Sequence, residues 1–140
     1  MRGPHGGPSS RILLVDDDDA VREVTALLLK ILGHDVVEAT GGPVALDLLQ
    51  RDRRFDLLLV DLAMPTMHGT VFAAEARQVL PAVPTLFMTG YADARWVSEI
   101  PADYILKKPF SQAALAKKLR RMLRRRPSSV SPAAATVASE

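Results

Sequence analysis

From residue 11 onward, short apolar runs alternate with stretches whose apolar positions recur every three or four residues. Ile12–Val15 is apolar throughout and ends in acids, the pattern of a strand buried on both faces. Val21, Val24, Leu28, Ile31 and Leu32 then recur at helical spacing, with Asp18 or Asp19 available to cap the start and Gly33 the end. Val36–Ala39 reads as a second strand. Pro43 stands where a helix can begin, and Val44, Leu46 and Leu49 mark its expected buried stripe. Leu57–Val60 is the most apolar strand and runs into Asp61. Val71–Leu80 reads as a helix halted by Pro81, and Thr85–Met88 as a fourth strand ending at Thr89. Tyr104–Leu106 is the fifth, ending at Lys107-Lys108-Pro109. Ser111 then caps a last helix with Leu115, Leu119, Met122 and Leu123 on its apolar face.

Strict strand–helix alternation predicts an α/β fold with a parallel sheet covered on both sides. Right-handed crossovers with helices on both faces require a doubly wound order, in which side chains just past the C-terminal strand ends meet in one crevice. Four of the five predicted strands end in a polar functional group: the first in Asp16 and Asp17, the third in Asp61, the fourth in Thr89 and the fifth in Lys108.

Composition narrows the chemistry. The 140 residues suit one domain, with 48% hydrophobic and 24% charged positions, as in a globular protein. The absence of cysteine excludes disulfides, thiolate metal sites and Cys nucleophiles. No apolar stretch approaches the roughly 20 residues of a membrane helix, and the Gly/Pro-rich opening lacks a signal-peptide core, so a cytoplasmic protein with no membrane partner is expected. Residues 1–10 read as a flexible lead, 11–126 as the folded domain and 127–140 as a disordered tail, with no room at either end for an output domain. The net charge of +2 conceals an asymmetry: seven Lys/Arg and no acid fall in residues 111–126, leaving −5 elsewhere. A solvated helix face is the plainer reading of that basic segment, and a nucleic-acid surface the sharper one.

Three carboxylates gathered at one sheet edge repel one another, and a cation is needed to offset their desolvation. Oxygen ligands without Cys or a local His pair favour Mg²⁺ or Mn²⁺ over zinc. An ammonium and a hydroxyl opposite them suit the oxygens of a phosphoryl group, so the set has the parts for an aspartyl phosphate. Taken singly, Asp16–Asp19 could be a solvated turn with a helix cap, Thr89 a strand-end residue and Lys108 an exposed lysine. Asp61, directly after four apolar residues, resists such a reading.

The segments Ile12–Asp19, Leu59–Pro65, Gly69, Met88-Thr89-Gly90 and Lys108-Pro109-Phe110 resemble the signature blocks of response-regulator receiver domains, in unbroken order across roughly residues 11–125. The resemblance implies a five-stranded flavodoxin-like sheet of order 2-1-3-4-5 and phosphorelay signalling rather than enzymatic turnover. Asp61 would be the phosphoacceptor. Asp16, Asp17, Asp61 and the Ala63 carbonyl would hold Mg²⁺, with Asp16 acting largely through water. Thr89 would be the switch hydroxyl and Lys108 the cationic partner of the phosphoryl group. Pro109 would follow a cis peptide bond, while Met64, Pro65 and Gly69 would shape the loop over the site. Expected partners are a histidine kinase or phosphotransfer protein and a downstream protein, either for a free-standing chain or for the receiver of a hybrid kinase.

The sequence departs from the family in places. The switch aromatic usually stands three positions before the lysine, where this chain has Ile105; Tyr104 lies one earlier, on the opposite strand face. Either the register slips, so that Tyr104 serves as the switch aromatic with Lys107 as its lysine, or Thr–aromatic coupling is absent; absence is the favoured expectation because Pro109 fixes Lys108 as the family lysine. The stretch between Thr89 and Lys108 is short for the family, so the fourth helix (about Ala92–Glu99) should be brief or irregular. Phe87–Tyr91 resembles the Phe-Ala-Thr-Gly block of certain single-domain regulators, with Met88 in place of Ala. Ala63 and Tyr91 occupy lifetime-tuning positions, and neither activates water well, which predicts a moderately to long-lived phosphorylated state. His68, His34 and His5 read as loop, turn and lead residues, and Trp96 as a packing anchor or partner contact.

Two rival functions come from other classes. A Mg²⁺-dependent phosphohydrolase with Asp61 as nucleophile would need a second carboxylate two residues on, where Ala63 stands. A nucleic-acid binder would use the basic last helix and show salt-sensitive, sequence-independent binding.

Overall fold

The computed structural model describes residues 9–90 and 99–125. Most of the expected lead and tail, Tyr91, Trp96 and nearly all of the expected fourth helix fall outside those residues. Five parallel strands, β1 (Arg11–Val15), β2 (Asp35–Ala39), β3 (Leu57–Asp61), β4 (Thr85–Thr89) and β5 (Ile105–Lys107), form one sheet in the order β2-β1-β3-β4-β5. Helices α1 (Asp19–Ile31), α2 (Gly42–Arg51), α3 (Gly69–Val79) and α4 (Gln112–Arg125) lie between and after them. Ser10, just outside β1, is already tied to the sheet edge, its carbonyl accepting from Asp35 N at 2.9 Å.

Each strand sends alternate residues to opposite faces, so a continuous apolar run feeds two cores. Leu13, Val15, Leu58 and Val60 pack with Ala45, Leu49, Phe72 and Ala76 of α2 and α3. Ile12, Leu14, Leu57 and Leu59 pack with Ala26 and Leu29 of α1 and Leu115, Leu119 and Met122 of α4. The sheet is therefore doubly wound. Its order reverses between β1 and β3, the switch point where such sheets open a crevice.

Local chemistry sets the helix ends. The Asp18 carboxylate accepts from Val21 N at 3.1 Å and starts α1; Gly33, at φ 96°, takes the left-handed turn after it. Ser111 Oγ accepts from Ala114 N at 3.0 Å at the start of α4.

Two expected stripes are corrected in part: Leu28 and Leu32 of the first and Leu46 and Leu49 of the second do pack against the cores, but other positions differ. On α1 the buried residues are Arg22, Thr25, Ala26 and Leu29, whereas Val24 is 59%, Leu27 57% and Ile31 45% exposed. Arg22 and Thr25 tolerate burial because their polar atoms are bonded: Thr25 Oγ1 donates to Val21 O at 2.8 Å, and Arg22 bridges three acceptors. On α2, Gly42, Ala45 and Leu49 face inward and Val44 is half exposed. Small residues are wanted there, since a side chain at Gly42 would come within 2.6 Å of Met67 Sδ. The fifth strand also begins one residue later than expected, because Tyr104 closes a 3-10 turn, Ala102–Tyr104.

Candidate functional site

The C-terminal ends of β1, β3, β4 and β5 carry the polar groups that the alternation places there. Asp16, directly after β1, is fully buried, and Asp61, the last residue of β3, is nearly so; Asp17 is exposed at the rim. One carboxylate oxygen from each of Asp16, Asp17 and Asp61 lies within 4.8 Å of the other two. Lys108, just past β5, reaches across the crevice, its Nζ 2.9 Å from Asp61 Oδ1 and 3.1 Å from Asp16 Oδ2. Burial works against the ammonium, yet the hydrogen bond and charge of Asp61, followed by those of Asp16, outweigh it and raise the Lys108 pKa. Thr89, buried at the end of β4, donates from Oγ1 to the Gly90 carbonyl at 3.2 Å.

The sequence pattern of the family described as "Response regulator receiver domain" matches residues 12–120. The chain belongs to this family. Among curated relatives, the sensor kinase CckA of Brucella abortus is 35% identical over 119 residues, which cover 82% of this chain and 13% of CckA. The response regulator receiver protein CpdR of the same organism is 34% identical over 116 residues, covering 81% of this chain and 96% of CpdR. The solved receiver domain of the hybrid histidine kinase CckA superposes with a TM-score of 0.67 at 33% identity, covering 81% of this chain and 98% of that one. This receiver thus spans nearly all of one relative but 13% to 52% of the length of several others.

The receiver's crevice suits a hard divalent cation. Its donors are all oxygens, and one ammonium faces three carboxylates, so negative charge exceeds positive by two units. The loop after β3 is braced from below. Gly69 N donates to Leu62 O at 2.9 Å, and a Cβ on Gly69 would lie 2.5 Å from the Asp61 carbonyl, so this position admits no side chain without moving the acid. Met64 is buried beneath the loop, while Ala63 and Pro65 are exposed on it. Gly90 is different: a Cβ there would meet nothing within 4 Å. The Lys108–Pro109 bond is cis, and Lys108 N donates to Thr89 O at 2.8 Å.

Ile105 sits beside Phe87 in the β4–β5 register. Tyr104 lies against the core on the α1/α4 side of the sheet, the cluster that contains Leu106, across from the face that holds Phe87. His68 caps α3, its Nδ1 accepting from Thr70 N at 3.3 Å. In the basic last helix, Lys118 donates to Ala102 O at 2.9 Å and Arg121 lies 3.8 Å from Asp103, so two of its cations hold the 3-10 turn.

Sequence reasoning missed Arg22 and Glu38. The guanidinium of Arg22 donates to the Asp16 carbonyl at 3.0 Å and to Glu38 Oε1 at 3.1 Å, and lies 2.8 Å from Asp19 Oδ1. A signal was present in the spacing: Arg22, Thr25, Ala26 and Leu29 follow the i, i+3, i+4, i+7 rule as well as the more apolar set does.

Proposed function

We propose that this receiver accepts a phosphoryl group on Asp61 from the phosphohistidine of a histidine kinase or phosphotransfer protein, in a Mg²⁺-dependent reaction (Mn²⁺ can substitute), and relays the signal by protein contact. The observation that carries this reading is the meeting of three carboxylates from β1 and β3 with the Lys108 ammonium at one strand edge. An Asp61 carboxylate oxygen attacks phosphorus, an O–P bond forms, and the P–N bond to the donor imidazole breaks. Lys108 already bonds Asp61 and turns to a phosphoryl oxygen as charge moves outward. The Thr89 hydroxyl exchanges its bond to Gly90 O for another phosphoryl oxygen. Asp16, Asp17, Asp61 and the Ala63 carbonyl would hold the cation, which supplies charge neutralisation at the transferring group.

The donor needs a place to dock. Val24, Leu27 and Ile31 form an exposed apolar ridge on α1, the helix that rises from the acid loop, and suit the face of a donor helix. We assign the receiver to residues 11–126 and the cytoplasm as its compartment, a reading that accords with no described helix being long and apolar enough to cross a membrane. Ala63 and Tyr91 favour a slowly hydrolysed phosphoryl group, and signalling without Thr–aromatic coupling follows from Ile105.

Incubation with acetyl phosphate and Mg²⁺, read by intact mass, tests the reading. Wild type should gain one phosphoryl group and Asp61→Asn none. Equal labelling of both, or labelling that persists in excess EDTA, would overturn it.

A further inference from the structure

Arg22 is a buried cation that the phosphoryl chemistry does not use, and its bonds run in an unusual direction. It does not reach the Asp16 or Asp61 carboxylates, where it would compete with a metal ion. It grips the acid loop from behind, through the Asp16 main-chain oxygen, and is itself held by Glu38 on β2 and Asp19 on α1. The remaining polar atoms of Asp16 are also fixed. Its N–H donates to Ala39 O at 3.2 Å, Oδ1 accepts from Asp18 N at 3.0 Å and Oδ2 accepts from Lys108 at 3.1 Å. The Asp16 carbonyl belongs to the peptide that leads into Asp17. Rotation of that peptide would swing the exposed Asp17 carboxylate away from its two partners.

We infer that Arg22 is a positioning residue whose guanidinium sets the Asp16–Asp17 peptide plane, so that these two carboxylates meet Asp61 around one Mg²⁺. The inference rests on the Mg²⁺ reading above. A planar fork suits the task, since it can hold a carbonyl and two carboxylates in fixed directions, which an ammonium on a flexible stem cannot. Burial opposes the charge of Arg22, but the hydrogen bonds and charges of Asp19 and Glu38 outweigh it and raise its pKa.

Positioning and simple electrostatics predict opposite signs. Removing a positive charge near a cation site tightens Mg²⁺ if charge alone matters. Removing an outer support of the ligands weakens it, on the order of ten-fold for such partners. Mg²⁺ affinity is measured by calorimetry on the full chain, for wild type, Arg22→Gln and Arg22→Lys. We expect Arg22→Gln to bind roughly ten-fold more weakly, with Arg22→Lys restoring part of the loss. In acetyl phosphate labelling, the half-saturating Mg²⁺ concentration should rise while the rate at saturating Mg²⁺ stays within about two-fold of wild type. Should Arg22→Gln not fold, Glu38 decides. Glu38→Gln keeps an acceptor for Arg22 and should bind Mg²⁺ as wild type does, while Glu38→Ala should bind more weakly. Unchanged or tighter Mg²⁺ binding by Arg22→Gln, or equal affinities for the two Glu38 variants, overturns the inference. Absence of Mg²⁺ binding by wild type would instead remove the reading on which it stands.

Discussion

Asp17→Asn should make the metal-free protein more stable and the metal-loaded protein less so. Asp17 is exposed, its carboxylate within 4.8 Å of the oxygens of Asp16 and Asp61, while the Lys108 ammonium bonds those two. Two like charges at that separation repel by about 0.9 kcal/mol even at the dielectric constant of water. Two such pairs, set against the attraction of Asp17 to the Lys108 ammonium in the same crevice, leave a net opposition to folding of up to about 1 kcal/mol at low ionic strength, and the amide removes it. The expected gain in EDTA is a rise of a few degrees in Tm, on the order of 2–5 °C for a domain this size. Mg²⁺ reverses the ranking. A ligand at 100 times its Kd stabilises the fold by about 2.7 kcal/mol, and most of this is lost to a variant with one carboxylate fewer. Thermal unfolding of both proteins, in EDTA and in millimolar Mg²⁺, gives four values whose order should cross. Equal melting in EDTA would mean that the acids do not strain the apo fold. An equal Mg²⁺ shift in both proteins would mean that Asp17 is not a ligand.

Other perturbations probe separate parts of the molecule. Gly69→Ala forces a methyl group to within 2.5 Å of the Asp61 carbonyl and should cost about 1–3 kcal/mol by urea unfolding; an unchanged midpoint would contradict the close approach. Leu27→Lys on the α1 ridge should slow transfer from a phosphorylated histidine kinase on the order of ten-fold, yet leave acetyl phosphate labelling as it was. Loss of both would point to damage beyond docking. At the opposite sheet edge, the Arg11 guanidinium 2.7 Å from Asp52, helped by the Arg54 N–H, lowers the Asp52 carboxyl from 3.8 to about 2. A depressed folded-state pKa contributes stability above 3.8 that disappears as pH falls through about 2. The stability gap between wild type and Asp52→Asn should accordingly be constant at neutral pH and close over that acid window in urea titrations.

The central strands β1, β3 and β4 were legible because each is buried on both faces and so reads as a largely apolar run. Leu57–Val60 leaves no alternative register. The crevice was legible for the related reason that Asp16, Asp61 and Thr89 each follow such a run directly and Lys108 stands one residue past the end of the last strand. Helix α1 was not, because hydrophobicity alone ranks Val24 and Ile31 above Arg22 and Thr25. The fold buries the polar pair, because Thr25 bonds back to Val21 O one turn earlier and Arg22 is met by Glu38 from β2, and leaves the apolar pair largely in solvent. Nothing near Arg22 in the chain announces Glu38, 16 residues on and brought close only by the pairing of β1 with β2. Tyr104 was misplaced for a smaller reason: a β-favouring aromatic closes a turn that Lys118 and Arg121 pin from α4.

Lys108 and Asp16 touch across 92 positions of sequence. A nascent chain still short of β5 holds all three acids but lacks the ammonium that offsets them. Polypeptides cut before that point, whether on the ribosome or by a protease, would carry the acids without their counter-charge. Under the function proposed above, competence to take up a phosphoryl group would arrive only with the last strand, which would make the finished fold its own licence to respond.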